Sequence, residues 1–226
     1  MIPQNYSRDI AERCQTLIET LLPLVQKGLP GDHAFGGRLS TTLLLALATP
    51  IIVLPAERIV KAAEGVARAG DDRGFDDALA QRIVDALGDG KTFAQAPFRA
   101  GEHWSYVPNW PRFNIAQAWP AGLLHQLDTP QAIIDAENAP AKQIITDLRN
   151  SLGHGGITYL DAQGRQGEGE AGMFAFAGNA RNGRTAPFNI LRISEEGFRR
   201  FLQSWSRWLA ERGVQDVLNN MNPLAV

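Results

Sequence analysis

The chain has 226 residues, 44% hydrophobic and 20% charged, an ordinary composition for a globular protein with room for a sizeable core. Its net charge of −2 gives no global sign of a nucleic-acid partner, although residues 1–148 carry −4 (13 Lys and Arg against 17 Asp and Glu) and residues 149–226 carry +2 (9 against 7). Cys14 is the only cysteine, which excludes an intrachain disulfide and a cysteine-based zinc finger and fits a reducing compartment.

The N-terminus has no basic-then-apolar segment of the secretory kind, so a cytoplasmic protein is expected. Apolar residues at Ile10, Cys14, Leu17, Ile18, Leu21 and Leu22 predict a helix over 9–26, stopping near Gly28 and Pro30. Leu39–Leu54 is apolar, but its roughly 16 residues fall short of the roughly 20 that a membrane span needs. It reads as a buried central helix over 38–50, broken near Pro50. Further helices are expected over 55–69, with Pro55 early and Gly70 just past the end, and over 75–87, closed by Gly88 and Gly90. Residues 93–114, with Trp104, Tyr106, Trp110 and Phe113, read as irregular or weakly extended, and 115–127 as helical with Pro120 marking a break or a start.

Pro140 opens the next helix, over about 140–154, whose apolar stripe is Ile144, Ile145, Leu148 and Leu152. Short strands are expected at 157–160, 173–177 and 188–193 within a β segment of about 157–193, and a terminal helix over about 195–212 is capped by Ser194. No repeat or second-domain boundary is visible. The fold class expected is mainly α: one domain over 1–226, a helical bundle with a small antiparallel β excursion between its last two helices.

Several motifs fail. Gly90-Lys91-Thr92 ends like a phosphate-binding loop, but that motif wants glycine where this chain has Asp85. His154-Gly155-Gly156 has no nucleophile elbow to serve. His33, His103, His125 and His154 are scattered, so no metal site follows from their spacing. Asp71, Asp72, Asp76 and Asp77 lack the calcium-loop pattern and read as a solvated turn. Arg181, Arg184, Arg192, Arg199, Arg200 and Arg207 either form a local basic surface or are ordinary solvated arginines. His103, Trp104, Tyr106, Trp110 and Arg112 either stack and steer single-stranded bases or pack onto the core.

What remains is Arg149-Asn150-Ser151-Leu152-Gly153-His154. An imidazole that titrates near neutrality moves protons, and a guanidinium grips phosphoryl oxygens with a planar fork. The pair is a minimal kit for phosphodiester chemistry. Five residues separate the two by about 140° on an ideal helix, so they converge only if Gly153 bends or ends it. The plain structural alternative is an arginine and a histidine that cap the helix end.

The string resembles the signature of the HEPN superfamily, an arginine and a histidine four to six residues apart with a polar residue, often asparagine, after the arginine. The resemblance is closest over about residues 140–161 and architectural before that. It implies a helical domain that dimerises and places two motifs in one cleft, and a metal-independent endoribonuclease, often a toxin or antiphage effector, needing no cofactor. The catalytic residues it implies are Arg149, His154 and, as a helper, Asn150. The partners it implies are RNA, a second copy, and an antitoxin or regulatory protein, with no membrane. The alternative from another class is a non-catalytic HEPN-like module that binds RNA, nucleotide or a protein.

Overall fold

The computed structural model describes residues 5–61, 70–73, 77–167, 169–180 and 185–211. Helix α1 (Tyr6–Gln26) starts at Asn5, whose side chain accepts from the Arg8 N–H at 3.1 Å. Its apolar residues Ala11, Cys14, Ile18 and Leu22 recur at helical spacing and are buried.

Helix α2 (Ser40–Pro55) runs straight through Pro50, contrary to the expected break. A proline inside a helix removes the hydrogen bond to the carbonyl four residues back. For Pro50 that carbonyl belongs to Ala46, which is exposed and open to water. For Pro55 it belongs to Ile51 in the core, and there the Trp205 indole N–H donates instead, at 2.9 Å. Past Pro55 the helix widens into a π-turn over Ala56–Val60, closed by the Lys61 N–H on the Ala56 carbonyl. The expected helix over 55–69 is therefore a continuation of α2 as far as 61, and its remainder lies outside the described residues. The whole run Ser40–Val60 has 21 residues and is long and apolar enough to cross a membrane by length and composition. Leu44, Ala48, Ile51, Ile52 and Ile59 are nonetheless fully buried in the protein's own core.

Helix α3 (Asp77–Leu87) follows, then β1 (Ser105–Trp110), α4 (Ala121–Leu127), α5 (Pro130–Asn138) and α6 (Ala141–His154). Three strands come next, β2 (Ile157–Leu160), β3 (Met173–Asn179) and β4 (Phe188–Ser194), and finally α7 (Glu195–Ala210). Ser194 caps α7 by accepting from the Gly197 N–H at 3.1 Å. Among the described residues the sheet is antiparallel in the order β1-β4-β3-β2.

The fold is mainly α, but the sheet is not confined to the segment between the last two helices. Its edge strand β1 comes from the stretch expected to be irregular or weakly extended. Pro108 hides that strand from a sequence reading because it cannot donate to a ladder. An edge strand tolerates it, and the register shifts between Val107 and Trp110.

Residue alternation divides the core. Tyr106, Phe174, Phe176, Leu191 and Ile193 face the main cluster with α1, α2, α6 and α7. Val107, Ala175, Ala177, Phe188 and Ile190 face Trp119 and the α4 residues Leu123, Leu124 and Leu127. Both faces of the sheet are thus covered.

Trp205→Phe keeps an aromatic ring but leaves the Ile51 carbonyl buried without a donor. It is expected to lower the unfolding free energy by about 1–3 kcal/mol in a denaturant titration. Adding Pro55→Ala, which returns a backbone N–H to that carbonyl, should recover part of the loss. A double variant with no recovery would assign the effect to ring volume instead.

Candidate active site

Helix α6 begins where the Ala141 N–H donates to the Lys91 carbonyl at 2.9 Å. Its stripe of Ile144, Ile145, Leu148 and Leu152 is buried as the periodicity predicts. Gly153 neither bends nor ends the helix. It lies exposed inside it, and the chain turns at Gly155, at φ 73°, whose N–H reaches the Ser151 carbonyl. A left-handed turn needs one glycine, and Gly155 is the one placed after the last helical residue.

An unbroken helix keeps Arg149 and His154 on separate faces, about 140° apart. Arg149 is half-buried and turned toward the end of α2, where its guanidinium forms an ion pair with Glu57. Another of its nitrogens donates to the Asn150 side-chain oxygen. Burial lowers the Arg149 pKa from its ordinary value, yet a guanidinium stays protonated throughout the working range. His154 is exposed at the helix end, and its ring has no hydrogen-bond partner among the described residues. One chain therefore brings Arg149 and Asn150 together and leaves His154 apart.

Two residues before the arginine, Asp147 is fully buried against the sheet. Its carboxyl accepts from Gln143 at 3.0 Å, from Asn189 at 3.1 Å and from the Tyr106 hydroxyl at 3.4 Å. Asn189 in turn accepts from the Asn109 N–H at 3.1 Å, next to the irregularity in β1. The approach is close enough that a Cβ added at Gly178 of β3 would lie 2.8 Å from an Asp147 oxygen. Burial raises the Asp147 pKa to about 7, against the pull of its three donors. Burial, with the Asp147 charge beside it, likewise pushes the Tyr106 hydroxyl upward.

No role was assigned to Asp147 or Glu57 from sequence. For Asp147 a signal existed, since a carboxylate inside an apolar helical arc is rarely buried unless partnered. Glu57 carries no local signal, because its partner is 92 positions along the chain.

Trp104 and Tyr106 are core residues, and so are not platforms for bases. His103 and Arg112 are exposed, and Arg112 lies over the Phe188 ring at 4.5 Å. Arg192 is buried and bridges Asp128 at 2.8 Å, while Arg199 pairs with Glu196 at 2.6 Å. Neither contributes a free cation to a basic surface. Arg181 and Arg184 lie outside the described residues.

The family described as HEPN pEK499 p136 matches residues 1–216. The chain belongs to that HEPN family. No curated protein and no solved structure matches it. Membership covers nearly the whole chain, so the HEPN fold here includes α1 and α2 as well as the motif helix.

The pH dependence of stability tests the Asp147 environment. An unfolded aspartate titrates near about 3.9. Between about pH 4 and 7 the folded chain keeps a proton that the unfolded chain has lost, so this group's contribution to stability falls as pH rises and is flat above that window. In Asp147→Asn that fall should vanish, read as the parent-minus-variant unfolding free energy from pH 4 to 8. A difference independent of pH would place the Asp147 pKa at an ordinary value.

Proposed function

We propose that this HEPN protein is an endoribonuclease that acts as a homodimer, cuts RNA without a metal ion and serves as a toxin or defence effector. The observation that carries the reading is the layout of the motif: a half-buried guanidinium braced by Asn150, and an imidazole free at an exposed helix end. Because the two groups sit on separate faces of one helix, a second copy is what supplies the missing group to each cleft.

In this reading the His154 imidazole takes the proton of a ribose 2′-hydroxyl, and the oxygen attacks the adjacent phosphorus. Arg149 stabilises the negative charge that builds on the phosphoryl oxygens, the kind of electrostatic contribution that dominates such reactions. The bond from phosphorus to the 5′-oxygen breaks, and the protonated His154 returns the proton to that oxygen. The products are a 2′,3′-cyclic phosphate and a 5′-hydroxyl. DNA lacks the nucleophile and is not cut.

The test is cleavage of mixed cellular RNA in EDTA by the purified protein. His154→Ala and Arg149→Ala are each expected to slow cleavage by roughly 10²–10⁴-fold while thermal melts stay unchanged. Cleavage by the parent that survives His154→Ala would remove the histidine from the chemistry. The pairing of Arg149 with Glu57 favours a second reading, a binding module, in which parent and variants all retard RNA on a gel and none cuts it.

A further inference from the structure

We infer that Glu57 is the resident counter-ion of the motif arginine, a positioning residue that holds the guanidinium until an RNA phosphate takes its place. The inference rests on the ribonuclease reading above, and it adds a group that the linear motif does not contain.

Three observations place Glu57 in this role. First, it meets Arg149 across the gap between the π-turn and α6, and neither side chain is deeply buried, at 29% and 24% exposed. Both side chains thus reach the surface in part, although the Glu57 Oε1 that meets the guanidinium is itself shielded from water. Second, the backbone under Glu57 is fixed without help from Arg149. The next residue, Arg58, donates to Asp72 at 2.6 Å and lies over the Tyr6 ring at 4.7 Å. Asp72 is 1% exposed and accepts from both the backbone and the hydroxyl of Ser7 at 2.8 Å. The π-turn is thereby tied to the start of α1, and Glu57 projects from a rigid platform.

Third, the guanidinium has two engaged nitrogens with different partners. Asn150 takes one, as a neutral neighbour on the same helix, and Glu57 takes the other as an anion. The fork of an arginine binds carboxylate and phosphate oxygens in the same planar geometry, so the two anions compete for one position. With Glu57 in place the guanidinium is pre-oriented and its charge is compensated. Once a phosphate displaces Glu57, the full charge faces the phosphoryl group, and Asn150 still holds the fork.

The test is equilibrium binding of a fluorescein-labelled single-stranded RNA 20-mer of mixed sequence, at fixed salt, in the full-length His154→Ala protein so that the RNA stays whole. Glu57→Gln preserves shape and removes the competing charge, and it should tighten binding roughly two- to fivefold, the range of a partly exposed ion pair. Arg149→Ala should weaken binding, and adding Glu57→Gln to Arg149→Ala should change nothing further, since the competition needs the arginine. Thermal melts check that each variant folds. Unchanged or weaker binding by Glu57→Gln would overturn the inference. Equal tightening without Arg149 would do the same, because it would reduce the effect to general charge. If Arg149→Ala binds as well as its parent, no RNA phosphate replaces Glu57 at the arginine and the inference fails, while cleavage in EDTA decides the ribonuclease reading separately. If Arg149→Ala loses binding and Glu57→Gln gains none, only the role of Glu57 fails.

Discussion

A carboxyl shut away from water sets the geometry of this site. Asp147 is 0% exposed, and a buried acid is tolerated only where donors surround it. Gln143 comes from its own helix, Tyr106 from β1 and Asn189 from β4, and Gly178 of β3 leaves the space for α6 to come that close. These contacts fix the rotation of α6 about its axis. Arg149, two residues on, then lies about 200° away from Asp147, on the side of α2. His154, seven residues on, returns within about 20° of Asp147 but at the exposed end of the helix. The separate placing of guanidinium and imidazole is a consequence of where one aspartate is buried.

The second constraint is a pair of prolines in one helix. Pro50 and Pro55 each withhold a backbone donor, yet α2 stays whole because one orphaned carbonyl meets water and the other meets Trp205. The π-turn that follows carries Glu57 toward Arg149 and Arg58 toward Asp72. A core hydrogen bond from α7 thus supports the same helix that delivers the counter-ion of the motif. Helices far apart in sequence meet at α6, which fits a family match extending over residues 1–216 rather than over the motif alone.

Much of this was legible from residue spacing. Periodicity located α1, α6 and α7, short runs between Gly-, Asn- and Arg-rich turns located β2, β3 and β4, and Ser194 marked the start of α7. What escaped was non-local. Strand β1 holds a proline and is defined by pairing with β4, 78 to 87 positions away. The helix break at Pro50 did not occur because a carbonyl's fate depends on what surrounds it. Gly153 looked like a hinge, but its neighbour Gly155 takes the left-handed turn. Of the site, the Arg149-to-His154 string was visible as a pattern. The groups that orient it, Tyr106, Asn189 and Glu57, were not, because they arrive from other elements.

If two copies pool their groups, Arg149→Ala and His154→Ala subunits should complement each other. Each variant is inactive alone, but a co-refolded one-to-one mixture contains dimers with one intact arginine and one intact histidine. Such a mixture is expected to regain part of the parent rate of RNA cleavage, in proportion to the mixed dimers formed. A mixture no more active than either variant, with mixed dimers shown by native mass spectrometry, would mean that the motif does not work across a subunit boundary.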